Sequence, residues 1–98
     1  LKVRYTIDAL THIASIYAFI KERNATSATR VAARIQAAAN RLGDFPEIGR
    51  VGAVSGTREW VVKGLPYIIV HELHWEDDQV VILGIYHGMQ LRPGQAEL

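Results

Sequence analysis

Between Leu42 and Gly56 the chain places Gly43, Pro46, Gly49, Gly52 and Gly56 in one short segment. No helix can run through it, because proline lacks the amide donor and glycine loses the most backbone freedom on folding. The segment also marks a change of period. Upstream, apolar residues recur every three to four positions; downstream, runs rich in Val, Ile, Trp and Tyr read as strands. The chain is therefore split into a helical half and a sheet half, an α+β arrangement.

In the helical half, Lys2 to Thr6 alternates polar and apolar residues, as an edge strand does, and Thr6 is placed to cap a helix. From Ile7 to about Arg23 the residues Leu10, Ile13, Tyr17 and Ile20 form a stripe, widened by Ile16 and Phe19. The polar cluster Asn24 to Ser27 breaks that helix. A second follows with Ala28, Val31, Ile35, Ala38 and Leu42 on one side and Gly43 as its C-terminal cap. The short connection and the many alanines predict an antiparallel helical hairpin.

In the sheet half, strands are expected at about Thr57 to Lys63, Pro66 to Trp75 and Gln79 to His87. They are joined by Gly64-Leu65 and by Glu76-Asp77-Asp78. The result is a three-stranded antiparallel meander. Alternation puts Arg58, Trp60 and Val62 on one face of the first strand. It sets Tyr67, Ile69, His71 and Leu73 against Ile68, Val70, Glu72 and His74 in the second. In the third it sets Val80, Ile82, Gly84 and Tyr86 against Val81, Leu83, Ile85 and His87. Both faces of the last two strands are largely apolar, and two helices cover only one. The other face is expected to meet a partner, or else the C-terminal tail from Leu91 to Leu98 folded back over it.

At 98 residues the chain is expected to form a single domain, residues 1–98. It has no cysteine, which excludes disulfides, Cys-based zinc sites and a thiol nucleophile. A net charge of +1 gives no global field for nucleic acid, so direct sequence-specific nucleic-acid binding is not expected. Arg30, Arg34 and Arg41 form a local basic stripe that could touch phosphate or simply face water. No apolar run is long enough to span a membrane, and the N-terminus lacks the pattern of a signal peptide, so a cytoplasmic location is expected.

The chain resembles the RelE/ParE superfamily of type II toxin-antitoxin toxins over nearly its whole length, the ParE branch more closely. The resemblance rests on Leu42-x-x-Phe45-Pro46-Glu47-Ile48-Gly49-Arg50, Thr57-Arg58-Glu59, Pro66-Tyr67-Ile68-Ile69-Val70 and Val81-Ile82-Leu83-Gly84-Ile85-Tyr86-His87-Gly88. It implies the same fold of strand, helical hairpin and antiparallel sheet. It also implies a cognate ParD-like antitoxin, laid over the hairpin and sheet, and a role in plasmid-stabilisation-type modules. RelE-like members cleave messenger RNA with basic side chains on the sheet and a C-terminal Tyr or His. Here Ile68 stands where the middle-strand arginine is expected, leaving Arg58, Lys63 and His87 as loosely placed ribonuclease candidates. ParE toxins instead poison DNA gyrase by binding it, which needs no catalytic residues and suits the near-neutral charge. Gyrase inhibition is thus the leading expectation. A degenerate endoribonuclease and a non-toxic co-repressor partner of the antitoxin are the alternatives.

Arg58, Trp60, Ile68, Val70, Ile85 and His87 are the expected partner-binding residues. His71 and His74, three apart on a strand, point to opposite faces and cannot share a metal. His12 lies off the apolar stripe and reads as an exposed polar residue. No cofactor and no metal site is expected, and no Ser-His-Asp or paired-carboxylate arrangement is present.

Overall fold

The computed structural model describes residues 1–95. Strand β1 (Lys2–Tyr5) leads into helices α1 (Ile7–Lys21) and α2 (Ala25–Asp44), followed by strands β2 (Arg50–Val51), β3 (Thr57–Val61), β4 (Tyr67–His74) and β5 (Gln79–His87). The five strands form one sheet in the order β1-β5-β4-β3-β2. β1 joins β5 in parallel, and the other neighbours are antiparallel. This is the α+β arrangement read from the periodicity, with one strand added. β2 has only two residues, too short for alternation to reveal. Among helices of the described residues, none is long and apolar enough to cross a membrane.

Thr6 caps α1 as expected, its hydroxyl accepting the Ala9 amide at 3.1 Å. The second helix starts three residues earlier than its apolar stripe. Asn24 is its cap, with Oδ1 accepting the Ser27 amide at 2.9 Å, so the polar cluster forms the first turn instead of a linker. Gly43 lies inside α2, which runs on to Asp44. Glycine is needed there because a Cβ would stand 2.7 Å from the Leu1 carbonyl oxygen.

Ile35, Ala39 and Leu42 of α2 and Ala9 of α1 pack with Val62, Ile69, Val80, Ile82 and Ile85 to form the core. The helices thus cover one sheet face. α1 turns differently from the expected stripe: Ala9 is its buried residue and Ile13 and Ile16 pack on the core, whereas Leu10 and Phe19 are exposed. The Arg23 guanidinium stacks on the outer face of Phe19 at 4.4 Å.

Simple alternation fails in β5. Val70 pairs with Gly84 but His71 pairs with Ile82, so Leu83 is the extra residue of a β-bulge. Counting through it by twos sets Ile85 opposite Val80 and Ile82; the extra residue returns Ile85 to their face. Ile85 is 3% exposed and belongs to the core, which corrects its placement on an open partner-binding face. Gly84, beside the bulge, sits under two rings. A Cβ there would be 2.6 Å from Tyr86 Cε2 and 3.0 Å from His12 Cε1.

The second sheet face is also closed, which corrects the expectation of a bare apolar surface. Ile68 is 7% exposed, and Val70 and Val81 are buried beside Thr57 and Glu59. The tail returns to this face, with Arg92 reaching Glu59 and Gly94 lying against Val54. Of the tail expected to fold back, residues 96–98 lie outside the described residues.

Two substitutions separate these roles. Ile85→Ala should destabilise the fold by about 2–5 kcal/mol in urea unfolding, as truncation of a core aliphatic does. Ile85→Asp should prevent folding altogether, seen as loss of the cooperative transition, because an isolated carboxylate in the core has no partner.

Candidate functional site

An open groove of about 1070 Å³ runs between α2 and the start of the β3–β4 turn. Ala37 and Ala38 lie on its helical side, where small side chains keep it wide, and Trp60, Val61 and Val62 form the sheet side. Arg34, Arg41 and Lys63 add three cations to its lining, against the single carboxylate of Asp44. Arg34 donates from Nη2 to the Lys63 carbonyl, tying α2 to the turn at one end of the groove. At the other end the Arg41 guanidinium stacks on the exposed ring of Phe45 at 5.0 Å. Of the basic stripe visible in the sequence, Arg34 and Arg41 thus line a groove, and Arg30 does not.

The expected site residues are scattered. Arg58, on the helix-side face of β3, lies under the loop after α2 and donates to the carbonyls of Glu47 and Gly49. It anchors a turn through Nη2, and its Nε is buried without a partner. Trp60, two residues on, packs on the core and lines the groove. Lys63 lies in the turn beyond Val61, the last residue of β3, and the strand from Arg58 to Val61 alone spans roughly 10 Å. His87 closes β5, edge-on to Tyr67 at 5.8 Å, and its Nδ1 accepts the Met89 amide at 3.1 Å. Arg58, Lys63 and His87 therefore do not converge on one point. Ile68 and Val70 are buried on the second face, away from the groove.

Three polar features carry local electrostatics. Glu59 is 5% exposed and accepts from Arg92 Nε at 3.1 Å and from Arg50 Nη2 at 2.9 Å; Arg92 is itself 8% exposed. One buried carboxylate thus holds both the β2 edge and the tail. His71, paired with Arg58 across β3 and β4, is fully buried and neither ring nitrogen has a hydrogen-bond partner. Burial lowers its pKa, the Ile69 backbone opposes that, the nearby Arg58 charge lowers it further and the Pro46 backbone opposes least, so protonation is disfavoured. Tyr86, near the end of β5, has its pKa raised by burial and then by the Asp8 charge. Its phenol is held protonated, the wrong direction for a base. His12, read as exposed, is half-buried instead: Nδ1 accepts the Ile85 amide at 3.1 Å and the ring meets Tyr86 edge-on at 5.0 Å. Among the described residues no group of three His, Cys, Asp or Glu is placed to hold a metal.

Residues 3–92 match the family described as the ParE toxin of the type II toxin-antitoxin system parDE. The chain belongs to that family. It is 36% identical over 92 residues to the Y4kP protein of Sinorhizobium fredii, which is named as a toxin, covering 94% of this chain and 93% of that one. It is 34% identical over 90 residues to Toxin RelE2 of Caulobacter vibrioides, covering 92% and 98%. Among solved structures it is similar to the chromosomal ParDE toxin-antitoxin system of P. aeruginosa. That likeness has a TM-score of 0.72 and 16% identity, covering 89% of this chain and 95% of that one. It is also similar to the toxin-antitoxin complex RelBE2 of Mycobacterium tuberculosis, with a TM-score of 0.62 and 21% identity, covering 88% of both. At these identities the structures share the fold. The chain is thus a toxin of the RelE/ParE superfamily, as the sequence resemblance implied.

The sequence showed Arg34 and Arg41 only as a basic stripe and Phe45 only as part of a motif, because a groove is a relation between elements. The basic spacing on α2 was its one visible signal. Arg92 left none, since nothing in a tail announces which sheet residue it will meet.

Two stability measurements check these assignments. Because His71 binds its proton less readily folded than unfolded, its neutral form stabilises the fold in full above pH 6.5. That contribution should be lost as pH falls below the unfolded-state value toward the lower folded one. Urea unfolding at pH 7.5 and 5 should show a loss for the native chain that is smaller in His71→Leu. Arg92→Ala should lower stability by about 2 kcal/mol at neutral pH through loss of a charge-assisted hydrogen bond to buried Glu59.

Proposed function

We propose that this chain is a ParE-type toxin, held inactive by a ParD-like antitoxin seated in the α2–β3 groove, and that the freed toxin inhibits DNA gyrase by binding it. The observation that carries the reading is the lack of convergence among the ribonuclease candidates. Ile68 is buried where a catalytic arginine is expected, Arg58 holds two loop carbonyls through Nη2, and Lys63 lies in the turn past the other end of β3. Metal-free phosphodiester cleavage needs cations and an acid-base pair around one phosphate. Binding a large partner needs only an accessible surface, and the groove offers an apolar floor with cationic walls.

The antitoxin interface is accordingly assigned to Trp60 and Lys63 of the sheet side, with Arg34 and Arg41 of α2. Ile68, Val70 and Ile85 act as scaffold. This moves the interface from the closed second face to the groove and keeps the partner. Two complexes among the similar structures pair a toxin with an antitoxin, which supports a partner of the same kind here.

Controlled expression in a bacterial host tests the reading. Growth arrest with a DNA-damage response, together with blocked supercoiling by purified gyrase, is the expected outcome. Rapid transcript cleavage abolished by Arg58→Ala or His87→Ala would replace it with ribonuclease activity, and no effect on growth would leave a non-toxic partner of the antitoxin.

A further inference from the structure

A second, smaller recess adjoins the groove. Asp44 and Phe45 line both, and beyond them the recess is formed by Pro46, Glu47, Ile48 and Trp75. Its chemistry is the reverse of the groove's. Asp44 and Glu47 supply two exposed carboxylates, and among the described residues neither is in a salt bridge. Asp44 is moreover the last residue of α2, where the helix dipole is negative and a carboxylate is disfavoured unless a cation comes near. Trp75 is 56% exposed, and no cation among the described residues stacks on its ring. Phe45, on the boundary, is already stacked by Arg41 from the groove side. Arg58 donates to the Glu47 and Gly49 backbone carbonyls and makes no salt bridge to the Glu47 carboxylate.

We infer that the α2–β3 groove and the Trp75 recess form one bipolar docking track for a single antitoxin segment. That segment carries acidic side chains along Arg34, Arg41 and Lys63 and one arginine or lysine that enters the recess. This rests on reading the chain as an antitoxin-bound toxin and adds the charge order of the segment. The argument is complementarity at both ends. An acidic amphipathic segment satisfies the cations over the apolar floor, but continued past Phe45 it would set acid against Asp44 and Glu47. A cation at that point instead meets two unpaired carboxylates and the uncovered face of an indole, the surroundings that favour a guanidinium. The order also gives specificity, because a uniformly acidic segment is repelled at one end of the track.

Two measurements test this. First, the purified toxin is titrated with butylguanidinium, with sodium at matched ionic strength as control, while the indole N–H signals of Trp60 and Trp75 are followed by NMR. The Trp75 signal should shift saturably with butylguanidinium and the Trp60 signal should not. The double variant Asp44→Asn with Glu47→Gln should bind the probe roughly tenfold more weakly, as expected for a lost charge-assisted contact. An equal response to sodium, or an unchanged response in the double variant, overturns the recess. Second, antitoxin affinity is measured for that double variant and for Arg34→Gln with Lys63→Gln, each first shown to keep the native thermal midpoint. Both should weaken binding. Weakening by the Arg34 and Lys63 changes alone overturns the bipolar track and leaves the antitoxin in the groove; weakening by neither removes both.

Discussion

The fold depends on how one strand, β5, satisfies its backbone on the side away from β4. A strand inside a sheet cannot leave amides and carbonyls unpaired without a cost of about 1–3 kcal/mol each. β1 covers only Gln79 to Ile82 before the chain turns into α1. From there two side chains take over. The Thr6 hydroxyl donates toward the carbonyls of Ile82 and Leu83, and His12 accepts the Ile85 amide. Thr6 also caps α1, so a single hydroxyl fixes where the strand ends, where the helix starts and how both lie against β5. The bulge at Leu83 falls at this handover and turns Ile85 into the core.

The same economy holds on the far side of the sheet. The loop after α2 keeps one backbone hydrogen bond of its own, from the Ile48 amide to the Phe45 carbonyl at 3.2 Å, and Arg58 adds two more from below. With the loop pinned, Phe45 is presented at the junction of groove and recess, and His71 is sealed beneath it without partners. The unsatisfied imidazole is the cost of that seal. Glu59 plays the matching part on the second face, where Arg50 and Arg92 converge on one carboxylate oxygen.

Much of this was legible in the residues. The α2 stripe, the Thr6 cap and the three long strands follow from local chemistry, and the Pro/Gly segment announced the change from helix to sheet. What could not be read were effects of one residue with distant consequences. The bulge inverted the facing of Ile85, since a period of two carries any insertion to the end of the strand. The two-residue β2 offered no pattern at all. The Asn24 cap was visible as a polar cluster but looked like a linker, because Asn, Thr and Ser serve both roles. For the site, α2 showed its arginines and β3 its tryptophan, yet only packing brings Trp60 and Arg41 to opposite walls of one groove.

The parallel pairing of β1 with β5 sets an order on the making of this protein. Residues 2–5 wait for residues 79–82, whereas the two helices meet across a turn of three residues. Local contacts form first and distant ones last. A chain leaving the ribosome therefore has its hairpin before its sheet, and the groove, which needs a wall from each, is among the last features to exist. For a toxin this is a built-in delay between synthesis and competence.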